Sequence, residues 1–505
     1  MNKFEAMKAA KDGLDVWPDL VRYSSECTPI ADIPEDDLQR MKWYGVFHRP
    51  QRAGTFMMRL RVTGGRLTTA QAFAIADVAA EFGHGTADIT SRQNIQLRDL
   101  SLYDIPTVIE RLAAAGVSSL QTGLDNVRNY IGCPLAGIDG EELLDTTALL
   151  DAIGDAHLLV REFSNLPRKF NLSLAGCRED CGHAQTQDLG FVPATREVDG
   201  REIAGFNVLV GGALGGTSPR LATPLDVFVE PDGVVDVFTA LLRVYRDHGP
   251  REKRTHARLK WLLDAWGEPR LRDAVEAEVG HPLARAGRDE RVRVAGDHLG
   301  VHAQRQPGLS YVGLHVPVGR ITADQLAGLA HLAERYGEGE LRLTVDQNVV
   351  LPGVADAALP GLLAAPLLEE LRPDPGVLWR NLVVCTGNDY CHYSLIDTKN
   401  RALEVVAELE RRGVDAPEGT RIHMSGCVHA CGKHHIADIG LQGANVRIDG
   451  RVEEAADIFT GGRLGVDGKL AVRVADKVPM ANMADALETM LRERVERVPL
   501  TAVRA

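Results

Sequence analysis

The 505-residue chain has room for about three domains, and its 45% hydrophobic and 25% charged residues are typical of a globular protein. A net charge of −13 disfavours a nucleic-acid partner, so an anionic ligand would need a local basic site. No apolar run is long enough to cross a membrane, and the charged N-terminal segment lacks the apolar stretch of a secretory signal. These features predict a cytoplasmic protein, in which eight cysteines indicate metal or redox chemistry instead of disulfides.

An internal repeat organises the chain. The segment GGRLTTAQAFAIADVAAEFGHGTADITSRQNIQL matches VGRITADQLAGLAHLAERYGEGELRLTVDQNVVL, so Gln93 falls on Gln347, 254 residues later. A second match, of LAGCREDCGHAQTQDLG with MSGCVHACGKHHIADIG, places Cys177 on Cys427 at an offset of 250. The sequence therefore predicts two halves related by a pseudo-twofold axis.

Each half opens with the same succession of elements. An alternating strand, at 56–62 or 310–316, leads into a helix at 68–82 or 322–336, and a glycine ends each helix. We expect a second strand to carry the RQN or DQN triplet. This β-α-β order predicts the α+β class, with helices covering one face of a sheet.

Three strands of the first half carry an unusually polar face. Because side chains alternate between the two sides of a strand, each strand places its charged and amide groups together. An ordinary solvated side would explain one such strand. The second half has uncharged residues at several equivalent positions, including Gly313 for the first arginine, so we expect a cationic, ligand-facing surface in the first half alone. Its members are Arg59, Arg61, Asn94, Gln96, Arg98, Lys169 and Asn171.

A glycine-rich segment, FNVLVGGALGG at 206–216, could be taken for a dinucleotide-binding loop. It recurs as IFTGGRLGV 250 residues later, has GGxxG spacing, and lacks a following acidic residue. We therefore interpret it as a repeat element whose glycines allow close approach to a ligand or to a neighbouring segment. Between the halves, 246–267 is predicted to be a basic helix and 269–294 an exposed, charged linker.

Four cysteines of the second half form two close pairs, Cys385-x5-Cys391 and Cys427-x3-Cys431, within glycine-containing loops. Thiolates from two segments are suited to an iron–sulfur cluster, in which each cubane iron takes one protein sulfur. A structural zinc site is the competing interpretation, although zinc pairs are usually separated by two to four residues. A third interpretation is that the four cysteines are buried free thiols.

The first half keeps only three of these cysteines. Cys177 and Cys181 retain the x3 pair, and CPLAGID aligns Cys133 with Cys391 of CHYSLID, which leaves Val127 where Cys385 would be. Three thiols and a valine should not hold a second four-cysteine cluster. The repeat thus predicts a polar, cationic surface from the first half, a metal cluster from the second, and one site shared between them.

Taken together, these motifs resemble the family of sirohaem nitrite and sulfite reductases, and within it the ferredoxin-dependent nitrite reductases. The resemblance covers nearly the whole chain and depends on the four cluster cysteines and on the segments FMMRLR, TSRQNIQLR, DNVRNYIGCPLAGID, LPRKFN, VHAQRQPGLSYVGLHVPVGR and LRLTVDQN. It implies a three-domain α+β fold with ferredoxin-like half-domains, a [4Fe-4S] cluster and a sirohaem whose iron shares the sulfur of Cys431.

The resemblance also implies roles for individual residues. The cluster ligands would be Cys385, Cys391, Cys427 and Cys431. The substrate pocket would be lined by Arg59, Arg128, Lys169 and Asn171. The sirohaem carboxylates would be held by Arg92, Asn94, Gln96, Arg98 and Arg168.

The implied domains are an N-terminal arm (1–50), a first ferredoxin-like half-domain (51–122), a sirohaem-binding domain (123–295), a second half-domain (296–372) and a [4Fe-4S]/sirohaem domain (373–505). The implied activity is the six-electron reduction of nitrite to ammonium in nitrate assimilation. The alternative is ferredoxin-dependent reduction of sulfite to sulfide, and a third is a zinc-stapled binding protein without catalysis. Asn171 favours nitrite, because sulfite reductases of this family tend to have lysine there.

The implied partners are nitrite and reduced ferredoxin, and the chain is expected to be a monomer without nucleic-acid or membrane partners. Since no flavin or nicotinamide site is evident, a separate electron carrier is needed. The run Arg251, Lys253, Arg254, Arg258 and Lys260 is a candidate docking surface for an acidic carrier, with an ordinary solvated helix face as the alternative.

Overall fold

The structure is a computed structural model that describes residues 2–50, 54–292 and 297–497. Within these ranges the α-helices are α1 (Lys3–Ala10), α2 (Trp17–Ser25), α3 (Glu35–Arg40), α4 (Thr69–Phe82), α5 (Ile105–Ala114), α6 (Thr147–His157), α7 (Val234–His248), α8 (Leu259–Val279), α9 (Ala323–Tyr336), α10 (Leu359–Leu363), α11 (Val377–Arg380), α12 (Thr398–Arg411) and α13 (Met483–Arg497). The predicted domain boundaries at 51 and at 295–296 lie outside the described residues.

The strands of the first half are β1 (Val46–His48), β2 (Thr55–Leu60), β3 (Arg66–Thr68), β4 (Thr86–Ile89), β5 (Ile95–Ser101), β6 (Val127–Gly132), β7 (Phe170–Leu174), β8 (Leu189–Val198), β9 (Arg201–Val210), β10 (Thr223–Val229) and β11 (Arg288–Asp289). Those of the second half are β12 (Gly300–Ala303), β13 (Leu309–Leu314), β14 (Arg320–Thr322), β15 (Glu340–Leu343), β16 (Val349–Ala355), β17 (Leu382–Val384), β18 (Ile422–Ser425), β19 (Ile439–Ile448), β20 (Arg451–Thr460) and β21 (Val472–Pro479).

Two five-stranded sheets form the centre of the molecule and exchange strands between the halves. One sheet has the order β1-β2-β5-β4-β14, and the other has the order β12-β13-β16-β15-β3. Thus β14, from the second half, pairs antiparallel with β4 of the first, while β3 pairs antiparallel with β15 of the second. The two sheets share one hydrophobic core, so the predicted repeat is present as two interlocked units.

Matching helices cover these sheets. The helices α4 and α9 begin at equivalent capping boxes, in which Thr68 pairs with Gln71 and Thr322 with Gln325. Each box satisfies backbone N–H groups that the first helical turn would otherwise leave unpaired. The helix predictions are therefore confirmed. The RQN and DQN triplets lie instead in tight turns, where Gln93 and Gln347 adopt left-handed φ angles of 55° and 69°.

The other two sheets carry the loops that form the functional site. Their orders are β10-β9-β8-β7-β6, with β11 added at β8, and β17-β18-β19-β20-β21. In each sheet the first strands are parallel: β6 with β7 with β8, and β17 with β18 with β19. Because parallel strands end at the same edge, the loops after β6, β7, β17 and β18 can converge on a shared site.

The strand register corrects one alignment made from the sequence. Gly132 pairs with Leu174 in the first half, and Val384 pairs with Met424 in the second. Equivalent side-chain contacts agree, because the Gly132 N–H donates to Gln93 and the Val384 N–H donates to Gln347.

A cysteine follows the last residue of β6, Gly132, and the last residue of β17, Val384. Cys133 is therefore equivalent to Cys385, and the alignment of Cys133 with Cys391 was wrong. It is the counterpart of Cys391 that the first half lacks.

Two predictions for the segment between the halves were also wrong. Residues 246–267 are not one helix, because α7 ends at His248 and α8 begins only at Leu259. Residues up to Val279 are not an exposed linker, because α8 packs Leu271 and Val275 into the core.

The glycine-rich segment that follows β9 leads into the antiparallel strand β10 and not into a helix. None of the helices in the described ranges is long and apolar enough to cross a membrane.

Candidate active site and metal centre

A cavity of about 270 Å³ lies where the loop after β17 meets the strands of the first half. It brings together residues from both halves that are more than 300 positions apart, as in the hydrogen bond of 2.8 Å that the Ser91 hydroxyl donates to the Cys431 carbonyl. Seven predicted site residues line it: Arg59, Arg92, Gln96, Arg98, Cys385, Cys391 and Cys431. The predicted sharing of one site between the halves agrees with this arrangement.

The four cluster cysteines belong to two loops. Cys385 follows β17, and Cys427 and Cys431 follow the adjacent parallel strand β18. The loop carrying Cys391 is tied to this pair, because the Leu395 N–H donates to the Gly426 carbonyl at 2.8 Å. Burial raises the pKa of the Cys385 thiol to about 11 and that of Cys427 to about 12, and the charge of Cys431 adds to both shifts. Such thiols would ionise readily only with bound metal cations.

The spacing of these sulfur atoms favours a cluster over a single ion. Four thiolates around one zinc ion would lie about 3.8 Å apart, given Zn–S bonds of about 2.3 Å. Within the described ranges, no three of the four cysteines bring their sulfur atoms within 4.8 Å of one another. A cubane spreads its ligands over four irons and requires this wider spacing.

Arg59 of the first half lines the cavity together with three of the cysteines, and Arg128 lies near Arg59 outside the cavity lining. Arg59 donates to the Thr122 carbonyl at 3.0 Å, and Arg128 donates to the Thr122 and Leu124 carbonyls, each at 2.7 Å. Neutral acceptors leave both positive charges uncompensated. Burial and the nearby Arg92 lower the pKa of Arg59 to about 9, and burial with Arg59 lowers the pKa of Arg128 well below its usual value.

Lys169 and Asn171 lie at the start of β7. Among the described residues Lys169 has no hydrogen-bond or ion-pair partner. Burial lowers its pKa well below the usual value, and the charges of Arg258, Arg92 and Arg128 add to this shift. The Asn171 N–H donates to Asp188 at 2.8 Å, whereas its side-chain oxygen is buried without a partner in the described part of the chain.

The loop between Cys427 and Cys431 approaches Lys169 and Arg168. Burial, followed by the charges of Lys169 and Arg168, lowers the pKa of His429 within that loop. The glycine-rich segment packs on the same loop, since a Cβ added at Gly215 would lie 2.7 Å from the His429 carbonyl oxygen. Its glycines therefore serve approach to a neighbouring segment, one of the two interpretations made from the sequence.

Four of the five predicted ligands of the sirohaem carboxylates already have partners among the described residues. Arg98 forms an ion pair of 2.6 Å with Asp88 and donates to Gln96, another of the five, and to Thr386. Asn94 is fully buried and donates to the Leu60 carbonyl at 2.6 Å. Arg168 is partly exposed and lies 3.7 Å from the Asp125 carboxylate.

Sequence reasoning missed an acidic group in the wall of the cavity. The Asp88 carboxylate lies 2.9 Å from Lys399, 2.6 Å from Arg98 and 3.1 Å from Arg320. Burial opposes its ionisation, but the charges of Lys399 and the two arginines outweigh burial and hold its pKa well below the usual range. Only the alternation of polar and apolar residues in the strand that contains Asp88 could have indicated this residue.

The proposed docking run is not a basic surface. Arg254 pairs with the fully buried Asp125 at 2.8 Å, and Arg258 pairs with the buried Asp188 at 2.7 Å. Lys260 is only 5% exposed and donates to the Ser218 carbonyl. Arg254 and Arg258 are thus neutralised within the molecule and Lys260 is buried, which disfavours the run as a docking surface, whereas Lys253 is exposed.

The donor set fits a large anionic cofactor and a small anion. The Nε atoms of Arg59, Arg92 and Arg128 are buried and have no hydrogen-bond partner in the described residues. A cluster of buried cations that lower one another's pKa needs negative charge from outside the chain. The carboxylates of a sirohaem and a bound oxyanion would supply it through charge-assisted hydrogen bonds.

Comparison with known proteins agrees with this chemistry. The family model for the nitrite and sulphite reductase 4Fe-4S domain matches residues 123–283 and 376–493, and the model for the nitrite/sulfite reductase ferredoxin-like half domain matches 49–115 and 302–368. The chain belongs to the nitrite and sulphite reductase family. The resemblance inferred from the motifs and the predicted α+β fold with ferredoxin-like half-domains are thereby confirmed.

Individual relatives match over nearly their full length. The ferredoxin–nitrite reductase of Synechococcus elongatus is 45% identical, with 98% of this chain and 96% of the relative covered. The chloroplastic ferredoxin–nitrite reductase of Zea mays is 43% identical, with coverages of 99% and 90%. The structure of the Mycobacterium tuberculosis NirA protein superposes with a TM-score of 0.92 at 30% identity, covering 99% of this chain and 94% of that one.

Proposed function

We propose that this protein is a ferredoxin-dependent nitrite reductase that reduces nitrite to ammonium. The observation that carries this proposal is the cavity in which uncompensated arginines of the first half face the widely spaced cysteines of the second. Relatives at 43–45% identity that bear the name ferredoxin–nitrite reductase support it. The protein is an oxidoreductase of nitrate assimilation.

The cofactors are a [4Fe-4S] cluster and a sirohaem. Cys385, Cys391, Cys427 and Cys431 would hold the cluster, and Cys431 would also face the sirohaem iron, since it lines the cavity beside Arg59 and Arg92. When bound, the cluster and the sirohaem supply electron transfer and an iron on which the substrate anion can bind.

The side chains of the first half would bind and orient the substrate anion and supply protons to it. Arg59, Arg128 and Lys169 would hold the anion by charge-assisted hydrogen bonds in a site that excludes water. Burial, together with the charges of Arg258 and Arg92, lowers the pKa of Lys169 well below its usual value, which makes its ammonium a stronger proton donor than that of an exposed lysine. Arg92 and Arg168, with Asn94, Gln96 and Arg98, would bind the sirohaem carboxylates, and Arg92 is the best placed because its Nε has no protein partner among the described residues.

Further aspects of the proposal concern the partner, the location and the assembly. Reduced ferredoxin is the proposed electron donor, because the relatives carry it in their names. We also propose a cytoplasmic location, following the composition, and a monomeric state.

Sulfite is the alternative substrate, because the family includes both activities. Asn171 is the specific residue that favours nitrite. A lysine there would add a second cation beside Lys169 and would suit the double charge of sulfite, whereas a neutral amide suits the single charge of nitrite.

The test is a visible spectrum of the purified protein followed by parallel turnover assays. We expect absorption by a sirohaem coupled to an iron–sulfur cluster, and a larger kcat/KM for nitrite than for sulfite with reduced ferredoxin or a reduced viologen dye. A colourless protein would support the non-catalytic binding protein, and a larger kcat/KM for sulfite would support the alternative substrate.

A further inference from the structure

A second group of cysteines lies outside the cavity. The sulfur atoms of Cys133, Cys177 and Cys181 all lie within 4.8 Å of one another. Their exposures are 4%, 1% and 7%. Cys133 follows β6, and Cys177 lies just beyond the adjacent parallel strand β7, so the strand ends bring them together. They pack with the apolar residues Leu135, Ile138, Ala175, Tyr311 and Val350, and the Glu179 carboxylate lies near Cys181.

The spacing of these cysteines differs from that of their counterparts in the second half. Cys133, Cys177 and Cys181 are equivalent to Cys385, Cys427 and Cys431, whose sulfur atoms are too far apart to form such a group. Ligands of one tetrahedral ion with bonds of about 2.3 Å lie about 3.8 Å apart. The first-half group therefore fits one ion, and it does not fit a cubane.

A histidine lies beside one of the three sulfur atoms, in a neighbouring group formed by Glu179, Cys181 and His298. The His298 Nε2 atom lies 2.9 Å from the Cys181 sulfur. The two residues are 117 positions apart in the chain, because His298 belongs to the segment that enters the second half. Imidazole and three thiolates form one of the common donor sets of structural zinc sites.

The backbone around His298 is built to hold this position. His298 has a left-handed φ of 61°, which is uncommon for a residue other than glycine. Gly313 makes room for it, because a Cβ there would lie 1.7 Å from the His298 carbonyl oxygen. The preceding residue, Asp297, is fixed by two hydrogen bonds from Arg380, of 2.7 and 3.0 Å.

The sulfur atoms also have the hydrogen-bond donors expected of metal-bound thiolates. The Leu135 N–H donates to the Cys133 sulfur at 3.3 Å. Thiolates held among the apolar neighbours of these cysteines would cost free energy unless a cation is bound.

We propose that Cys133, Cys177, Cys181 and His298 bind one structural Zn²⁺ ion. All four protein ligands are used, so the site is closed, and zinc itself has no redox chemistry. The ion fastens the segment entering the second half to the sheet of the first half. This site is separate from the proposed nitrite site, so the zinc proposal does not depend on the proposed function.

Elemental analysis of the purified holoenzyme tests the proposal. After washing with a chelator, the wild-type protein should contain one zinc per chain in addition to its iron. Cys133→Ser and His298→Ala should each lose most of that zinc while keeping the wild-type iron content, which shows that the chain has folded and carries its cofactors. Cys27→Ser is the matched control, because Cys27 is exposed and outside both cysteine groups, and it should keep its zinc.

X-ray absorption at the zinc edge of the same holoenzyme gives the ligands without interference from iron. We expect three sulfur atoms at about 2.3 Å and one nitrogen at about 2.0 Å. Wild-type protein without zinc would overturn the proposal, as would zinc retained in both variants, an extra iron lost with Cys133→Ser, or a disulfide joining two of the three cysteines in the intact mass.

Discussion

The substitution Asn171→Lys offers the sharpest test of the proposed substrate pocket. Asn171 lies two residues after Lys169 along one strand, so alternation places both side chains on the same face. Its buried side-chain oxygen has no partner among the described residues, so the substitution breaks no side-chain hydrogen bond there. The new ammonium would lie in the group of cations that already lowers the pKa of Lys169.

The expected effect is a change in preference between a monoanion and a dianion. A hydrogen bond to a charged group contributes about 1.5–3 kcal/mol, and sulfite carries one more negative charge than nitrite to gain from it. The crowded cations oppose protonation of a new lysine, which favours the lower end of this range. At about 1.4 kcal/mol per factor of ten, the ratio of kcat/KM for sulfite to that for nitrite should rise roughly ten-fold.

The assay measures both substrates on one enzyme preparation with a reduced viologen dye. The control is Asn171→Met, which has nearly the length of lysine without its charge and should leave the ratio close to that of the wild type. The reasoning is refuted if Asn171→Lys keeps the wild-type visible spectrum and its ratio stays within about two-fold of the wild type. An equal shift in Asn171→Met would assign the effect to size, and Asn171 would no longer support nitrite over sulfite.

Three further outcomes follow from the structure. Cys431→Ser should lose both the cluster and the sirohaem, whereas Cys177→Ser should keep both. Analysis of iron and sirohaem content measures these losses. Equal losses in the two variants would contradict the assignment of the cluster ligands. Reduced ferredoxin or viologen should support turnover, while NADH or NADPH alone should not, and ammonium formed with NADPH by the isolated chain would contradict this. Asp88→Asn leaves Lys399 buried without its counter-charge and should lower the free energy of unfolding by about 3–5 kcal/mol, as measured by urea titration at pH 7. In the wild type the folded-state pKa of Asp88 is depressed, so its stabilisation is present above the unfolded pKa of about 3.9 and is lost as the pH falls below it. An Asp88→Asn variant as stable as the wild type at pH 7 would show that the ion pairs contribute nothing.

The sequence was sufficient for the repeat, the covering helices and the pairing of a cationic half with a cysteine-rich half. These depend on local patterns, such as the spacing of apolar residues in α4 and α9 and the recurrence of the capping boxes. The alignment of Cys133 failed for a physical reason. CPLAGID and CHYSLID align without a gap and share their cysteine, isoleucine and aspartate, whereas the hydrogen-bonded register of β6 with β7 fixes which cysteine occupies the strand end.

Charges were harder to interpret because their partners are distant in the chain. Arg254 finds Asp125 at a separation of 129 residues, and Arg258 finds Asp188 at 70. A run of basic residues therefore resembled a docking surface although two of its members neutralise buried carboxylates. His298 was missed for a similar reason, since its approach to Cys181 depends on a left-handed backbone in a loop between the halves.

The exchange of β3 and β14 bears on how such a chain could have arisen. Each central sheet takes its last strand from the other half, so neither half alone has a complete sheet. Two separate copies of a single ancestral half could make the same reciprocal exchange across a twofold axis. Fusion of those copies would leave their interface intact and free one copy to lose its cluster ligands while the other lost its arginines.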